Sequence, residues 1–192
     1  MLDKAIALLT QLKKFQEAND LIKKHGKKGG DQTFLDPLIL IKQAEFERDS
    51  DNWKEAADLY IQANKHKEAI DIYGKRKNLD AIMDVCKNLD RQKHVAEIEL
   101  CAKYFRAAGH HTFAKQAYLR LGDLKALMHL HVECEKWDEA FMLAKQNPEM
   151  EPMIYLPYAD WLSAKDRFDE AQEAYKKAGR PDLSLKIIEF LT

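Results

Sequence analysis

The densest grouping of metal-binding side chains in the chain is His129-x-His131-x-x-Cys134, with Cys101, His110 and His111 upstream, and imidazole with thiolate is a ligand set that zinc accepts. Apolar periodicity predicts a helix over 124–132, and on a helix positions two apart point about 200° from each other. One ion could reach both histidines only if the helix ended between them, so packing and surface roles are the better reading. Lys23, Lys24, Lys27 and Lys28 beside Gly26, Gly29 and Gly30 have the composition of a phosphate loop. They lack the G-K-[ST] signature and a preceding strand, and read instead as a solvated loop, with screened attraction to an acidic partner as the alternative. Asp169 and Glu170 open a helix, where the dipole favours negative charge by about 0.3–1 kcal/mol without any catalysis. No serine sits in a G-x-S-x-G turn and no cysteine has a nucleophile's motif around it. The expectation is a protein with no catalytic residue, no cofactor and no metal site.

Composition narrows the alternatives. In 192 residues, 31 Lys and Arg face 32 Asp and Glu, so a formal charge of −1 provides no global field for a polyanion or an anionic bilayer, and nucleic acid is not expected as a partner. Leu and Ala supply about half of the 46% hydrophobic content while Val occurs only at 85, 95 and 132, a balance that favours helix over sheet. Three cysteines, Cys86, Cys101 and Cys134, form no C-x-x-C pair, which fits a reducing compartment better than a disulfide framework. No run of 18 apolar residues occurs, and Asp3 and Lys4 interrupt the stretch where a signal peptide would be apolar. The reading is cytosolic, with no export and no direct membrane insertion.

The elements that would position any site emerge from an internal repeat. The phrase aromatic-or-His, any, Glu, Ala recurs at Phe15–Ala18, Trp53–Ala56, His66–Ala69, Trp137–Ala140 and Phe168–Ala171, with weaker relatives at Ala81, Ala114 and Ala126. Three copies continue with apolar residues at helical spacing, such as Trp53, Ala56, Ala57 and Tyr60. A small residue there lets a neighbouring backbone approach while the ring covers the turn behind it, the requirement of two short helices packed as a hairpin. Gly26, Gly74, Gly109, Gly122 and Gly179 each follow an apolar run and are expected as left-handed caps. Pro37 and Pro181 are expected at first helical positions, and Pro157 either starts a short helix or kinks a longer one. Helices are predicted near 2–12, 15–25, 37–48, 53–63, 66–73, 79–88, 92–108, 112–121, 124–132, 137–146, 153–164, 168–178 and 181–191, giving six hairpins and one unpaired helix. Counting Ala18, Ala56, Ala81, Ala114, Ala140 and Ala171, successive alanines lie 38, 25, 33, 26 and 31 residues apart, where a strict tetratricopeptide array keeps about 34. The fold expected is all-α, an irregular α-solenoid of antiparallel helical hairpins, a single array over 1–192 with a hinge at 26–36. Because both ends present apolar helices where a free-standing array needs polar caps, the chain reads as a segment of a longer polypeptide.

From about Gln43 onward the phrases resemble one family. The strongest are Pro157-Tyr158-Ala159-Asp160-Trp161-Leu162, Asp166-Arg167-Phe168-Asp169-Glu170-Ala171-Gln172 and Lys177-Ala178-Gly179-Arg180, joined by Gly122-Asp123-Leu124-Lys125, Leu130-His131-Val132-Glu133 and Trp137-Asp138-Glu139-Ala140-Phe141. Together they are similar to the helical-repeat tail of the intraflagellar transport protein 122 family, core subunits of intraflagellar transport complex A that carry WD40 propellers ahead of that tail. No propeller signature occurs here, and the opening hairpin and the Lys-rich loop depart from the pattern. The resemblance implies a non-catalytic scaffold that binds other intraflagellar transport complex A subunits, supports retrograde transport and cilium assembly, and helps membrane-protein cargo enter cilia. It also implies a location at the cilium, the ciliary basal body and the cytoplasm.

The residues expected to meet a partner are Leu185, Ile188 and Phe190 of the last helix, which has no following helix to cover its apolar face. Trp53, Tyr60, Trp137, Trp161 and Tyr175 are read as hairpin core, a peptide groove being the alternative, and the direction of Tyr155 and Tyr158 is left open by the neighbouring prolines. Two other functions fit the same build: a vesicle-coat solenoid of the coatomer kind, and an adaptor that captures a short peptide motif.

Overall fold

Helices of ten to thirteen residues are marginal alone in water, so each must be held by its neighbours. The computed structural model describes residues 2–25 and 37–191, with side chains described for 4–24 and 37–186. The described residues contain thirteen α-helices and no strand. They group into two compact units, Met1–Ala108 and Gly109–Thr192.

The first unit holds α1 (Leu2–Gln11), α2 (Phe15–His25), α3 (Pro37–Asp49), α4 (Trp53–Gln62), α5 (His66–Lys75), α6 (Leu79–Asn88) and α7 (Val95–Ala107). Consecutive helices pack on each other, most extensively α3 with α4, and α7 rests on both α5 and α6. The second unit holds α8 (His111–Leu121), α9 (Leu124–Glu133), α10 (Trp137–Gln146), α11 (Pro152–Ala164), α12 (Phe168–Lys177) and α13 (Pro181–Leu191), with a 3₁₀ turn at Pro148–Met150. There α11 and α12 pack most extensively, and α9 reaches past α10 to α11. This is the hairpin stacking of an α-solenoid, with core clusters strung along the chain: Phe15, Ala18 and Ile39 in one, Met128, Ala140 and Ile154 in another, Leu162, Ala171 and Tyr175 in a third.

The five phrase alanines, Ala18, Ala56, Ala69, Ala140 and Ala171, are all 0% exposed. Of the weaker relatives, Ala114 is equally buried, whereas Ala81 and Ala126 are half-buried. These last two helices start differently. The Asn78 side chain accepts the Ala81 N–H at 3.2 Å and the Asp123 side chain accepts the Ala126 N–H at 2.9 Å, while the helices opening on Trp53, His66, Trp137 and Phe168 carry no side-chain cap. In these six helices the start carries either a polar side-chain cap or a ring at the first position, whereas α7 opens on Val95 with neither.

Nine of the described turns share one geometry, those between α6 and α7 and between α10 and α11 being different. A residue with positive φ stands two places before the next helix at Lys13, Asp51, Asn64, Lys77, Glu135 and Asp166, and at Gly109, Gly122 and Gly179. In eight of these nine turns the following N–H bonds back to the carbonyl five residues earlier at 2.8–3.1 Å, closing the helix C-terminus in a Schellman motif. Gly109, Gly122 and Gly179 occupy the left-handed position as expected, but most of the turns use a residue with a side chain. Gly26 lies outside the described residues, as does the segment 26–36 expected to act as a hinge.

Gly74 corrects the expectation of a cap. It sits inside α5, and the left-handed residue is Lys77. The reason is a close approach: a Cβ at Gly74 would come within 2.2 Å of Tyr104 Cε1 on α7, and the Tyr104 hydroxyl donates to Asp71 Oδ1 at 2.9 Å, pinning the ring over this part of α5. Helix α7 starts at Val95 and not near 92, because the Asp90 carboxylate accepts the N–H groups of Gln92 (2.8 Å) and Lys93 (3.0 Å) and holds a turn there. Pro157 neither starts nor ends a helix; α11 runs through it from Pro152 to Ala164.

Two further links recur between helices. Tyr73 donates to Asp58 at 3.2 Å and Tyr175 donates to Asp160 at 2.6 Å, each tyrosine four residues after its phrase alanine and fifteen after its aspartate. They tie α5 to α4 and α12 to α11.

In an ordinary helix, Gly→Ala gains up to about 1 kcal/mol. At Gly74 the sign should reverse: Gly74→Ala is expected to lose about 1–3 kcal/mol through overpacking against Tyr104, read as a lower midpoint in urea unfolding, and a rise in stability would refute the close approach.

Candidate interaction surface

Helix α13 divides by helical geometry. Leu183 packs on the cluster of Ala159, Leu162, Ala171, Ala174 and Tyr175, and Ser184 is 2% exposed. Leu185, two residues past Leu183 and so about 200° around the axis, is 60% exposed. Leu185 is therefore a large apolar side chain held on an anchored helix with its face in water. The side chains of Ile188 and Phe190, expected to join it, lie outside the described residues. Other exposed apolar side chains that the sequence reading did not single out are Met142 and Leu119 in the second unit and Leu8, Leu12, Leu38 and Val95 in the first. Met142 was readable: in WDEAFMLA it falls off the stripe that carries Trp137, Ala140, Phe141 and Ala144.

The aromatics pack between helices. Trp137 lies 5.1 Å from Tyr158 and 5.6 Å from Trp161, while Phe141 lies 5.5 Å from Tyr155 and 5.1 Å from Tyr158, all centroid to centroid. Tyr155 and Tyr158, whose direction the sequence left open, thus turn toward α10. Trp161 donates its indole N–H to Glu135 Oε2 at 2.8 Å, and the Lys177 ammonium stands 5.5 Å from the Tyr155 ring. Trp53 meets Tyr73 edge-on at 6.4 Å, and Tyr60 and Tyr175 are buried.

The histidine and cysteine groups do not converge. His131 is buried on α9, His129 is exposed on the same helix, and Cys134 is half-buried just past its end. Among the described residues no group of three or more His, Cys, Asp or Glu is placed to hold a metal ion. Cys86 and Cys101 are buried, and the Cys101 thiol is pushed well above the ordinary range by its hydrogen bond with Cys86 and by burial, which removes nucleophilic character. Burial, with Lys115 nearby, lowers the His131 pKa, and burial, with His94 nearby, lowers that of His66. The imidazoles of His66 and His94 meet edge-on at 5.1 Å, and His66 Nδ1 is buried without a hydrogen-bond partner. What these groups do chemically is support packing and present surface. Among the described residues no helix is long and apolar enough to cross a membrane.

The family model described as "IFT122, TPR domain" matches residues 2–192. The chain belongs to the IFT122 family. It is 37% identical over 188 residues to the intraflagellar transport protein 122 homolog of Homo sapiens, 36% over 189 residues to that of Xenopus tropicalis and 35% over 189 residues to that of Danio rerio. In each case the alignment covers 98% of this chain and 15% of the relative, so the chain spans a small part of the curated proteins it matches. The match to the IFT122 family begins at residue 2 and takes in the opening hairpin, which had looked like a departure when read by phrase alone. The irregular spacing of the alanines is accordingly a property of this all-α tetratricopeptide-type domain.

Two pH limits follow from the buried groups. Tyr73 and Tyr175 are pushed up to about 12 by burial and by the carboxylates of Asp58 and Asp160. Above the ordinary tyrosine value of about 10 the unfolded chain has released protons that the fold retains, so stability is full below that pH and falls as pH rises toward about 12. His66 and His131 act on the acid side: below about 6.5 the unfolded chain takes up protons that the fold resists, so stability falls as pH drops. Urea midpoints are expected to be level between about pH 7.5 and 9 and lower at about pH 5.5 and 11, with the alkaline fall reduced in Tyr73→Phe and Tyr175→Phe. An alkaline fall of unchanged size in both variants would exclude these tyrosines as its source.

Proposed function

We propose that this chain is a non-catalytic scaffold segment of an intraflagellar transport complex A subunit, and that it works by protein–protein contact in retrograde transport, cilium assembly and the entry of membrane-protein cargo into cilia. The observation that carries the reading is the match to the IFT122 family over residues 2–192, on a domain in which Asp58, Asp71 and Asp160 link helices, Asp90 holds a turn and Asp123 caps a helix. Among the described residues, the Cys86 and Cys101 thiols are buried against each other and the Nδ1 atoms of His66 and His110 are buried without a partner, an arrangement that supports packing and favours a scaffold over an enzyme. The partners are other complex A subunits, and the places of work are the cilium, its basal body and the cytoplasm.

Within that role, the exposed surface of α13 around Leu185, together with the residues Ile188 and Phe190 of the same helix, is proposed to meet a partner or a further part of the same polypeptide. A helix anchored by Leu183 and Ser184 presents an apolar side chain at little further ordering cost, which is what an interface hot spot needs.

The test is purification of the tagged full-length protein from ciliated cells with identification of what comes with it. Complex A subunits are expected with the unaltered protein, and coatomer subunits in their place would overturn the assignment. The double substitution Leu185→Asp with Ile188→Asp is expected to reduce recovery of at least one complex A subunit by roughly tenfold or more, the loss of one buried apolar hot spot being about 2 kcal/mol or more. If assembly and the solubility of the isolated chain are both unchanged, the α13 face is not an interface.

A further inference from the structure

In the first unit, where α5 packs on both α4 and α6, there is a cavity of about 270 Å³. Ala81, Asp84, Val85 and Asn88 of α6 line it at i, i+3, i+4 and i+7, a single helical stripe, and Asp58 and Ile61 of α4 join them. Its apolar lining is aliphatic, with Val85 and Leu89 buried and Ile61 and Ala81 half-buried. Its charged lining is of one sign. Asp58 and Asp84 are both exposed, and no Lys or Arg is among the described lining residues.

Neither carboxylate is neutralised by a neighbour. The Tyr73 hydroxyl, from α5, donates to Asp58 Oδ1 at 3.2 Å, which orients the carboxylate and brings no positive charge. Lys87 stands 3.6 Å from Asp84 Oδ1, longer than a hydrogen bond, with the Asp84 side chain 75% exposed, so that pair is weak. His66 also lines the cavity, and burial lowers its pKa, so it adds no charge at neutral pH.

Size and lining dictate the form of an occupant. The cavity is smaller than the roughly 300–1,000 Å³ of pockets for drug-sized ligands, so it admits one long side chain and not a helix. Aliphatic walls below two carboxylates suit a side chain with a methylene stem and a cationic head. Among the described residues no group of three or more His, Cys, Asp or Glu is placed to hold a metal ion, so the cation is an organic one. A guanidinium, planar with five donors, can serve two carboxylates at once, where an ammonium acts as a point charge.

We propose that this cavity binds an arginine side chain of another polypeptide, its stem against Ile61, Val85 and Leu89 and its guanidinium shared by Asp58 and Asp84. The proposal rests on the scaffold reading for the partner being a protein, and it gives the first unit a contact separate from α13.

The probe is the tripeptide acetyl-Ala-Arg-Ala-amide, added to this chain while the amide signals of Asp58, Ala81, Asp84 and Asn88 are followed by NMR. The same tripeptide with citrulline is an uncharged control of nearly the same shape. A saturable shift is expected with arginine and not with citrulline, and Asp58→Asn and Asp84→Asn should each weaken binding by roughly fivefold or more. Asparagine at 58 can still accept the Tyr73 hydroxyl; if the urea midpoint of that variant nevertheless falls, Asp84→Asn decides. In the full-length protein in ciliated cells, a photo-cross-linking amino acid at Lys87, exposed beside the cavity, should join a segment of a different polypeptide whose peptide loses binding when its arginine is replaced by citrulline. No saturable shift, equal binding of the citrulline or lysine tripeptide, indifference to Asp84→Asn, no cross-link, or a cross-linked segment that lacks arginine or belongs to the same polypeptide would overturn the proposal. Recovery of complex A subunits from the same cells is scored independently, so a failed cavity and a failed scaffold assignment give different results.

Discussion

The structure depends on how closely two helix backbones can approach. A fully buried alanine at the start of a helix sets that distance at Ala18, Ala56, Ala69, Ala140 and Ala171, and a glycine sets it at the still tighter contact between α5 and Tyr104 of α7. Because the helices are too short to be stable alone, each contact of this kind contributes to the existence of the helices it joins and not only to their arrangement. Cohesion is therefore local: it passes from one helix to the next in sequence, as the succession of small core clusters records.

Close approach alone would leave helices free to slide, and apolar surface is a poor guard against that because it is non-directional. The directional links do the rest. Schellman closures set where eight of the helices stop, so that the next begins two residues after a left-handed position, and the Tyr73–Asp58 and Tyr175–Asp160 bonds fix one helix against its predecessor at a defined height. The helices that carry the phrase or its weaker relatives start with one of two devices, the side-chain caps of Asn78 and Asp123 or a ring or imidazole at the first position. That choice explains why the phrase is strong in some helices and faint in others. Where a polar cap secures the start, the ring is dispensable, and Ala81 and Ala126 relax to half-buried positions.

Most of the fold was legible because apolar periodicity and the recurring phrase report the same packing twice. What escaped was information carried by pairs of residues far apart in sequence. Gly74 looked like a cap because it follows an apolar run, and only the presence of Tyr104 thirty residues on explains why a glycine is needed within the helix. The non-glycine turns at Lys13, Asp51, Asn64, Lys77, Glu135 and Asp166 were hidden because residue type there is set by the turn's hydrogen bonds more than by glycine's freedom. The interaction surface was less legible still. Leu185 stood out as an apolar residue on a terminal helix and Met142 falls off the apolar stripe of its own helix, but Leu38 read like a core residue until α3 was placed against its neighbours. The sequence pattern reports which face of a helix is apolar, and it is silent on whether two such helices meet or leave a groove between them.

A chain cohered by local contacts can change its surface without losing its fold, and the relatives bear on this. At 35–37% identity over nearly the whole length of this chain, most positions differ while the domain family is retained. Positions such as the phrase alanines, confined on every side, have few replacements that neither clash nor leave a void. Exposed apolar positions are under no such packing constraint, so nothing in the architecture requires a leucine at 38 or 185. The buried small residues are thus fixed by packing, while the surface around an exposed side chain such as Leu185, on a helix anchored by Leu183 and Ser184, is left open to be shaped by contact with other molecules.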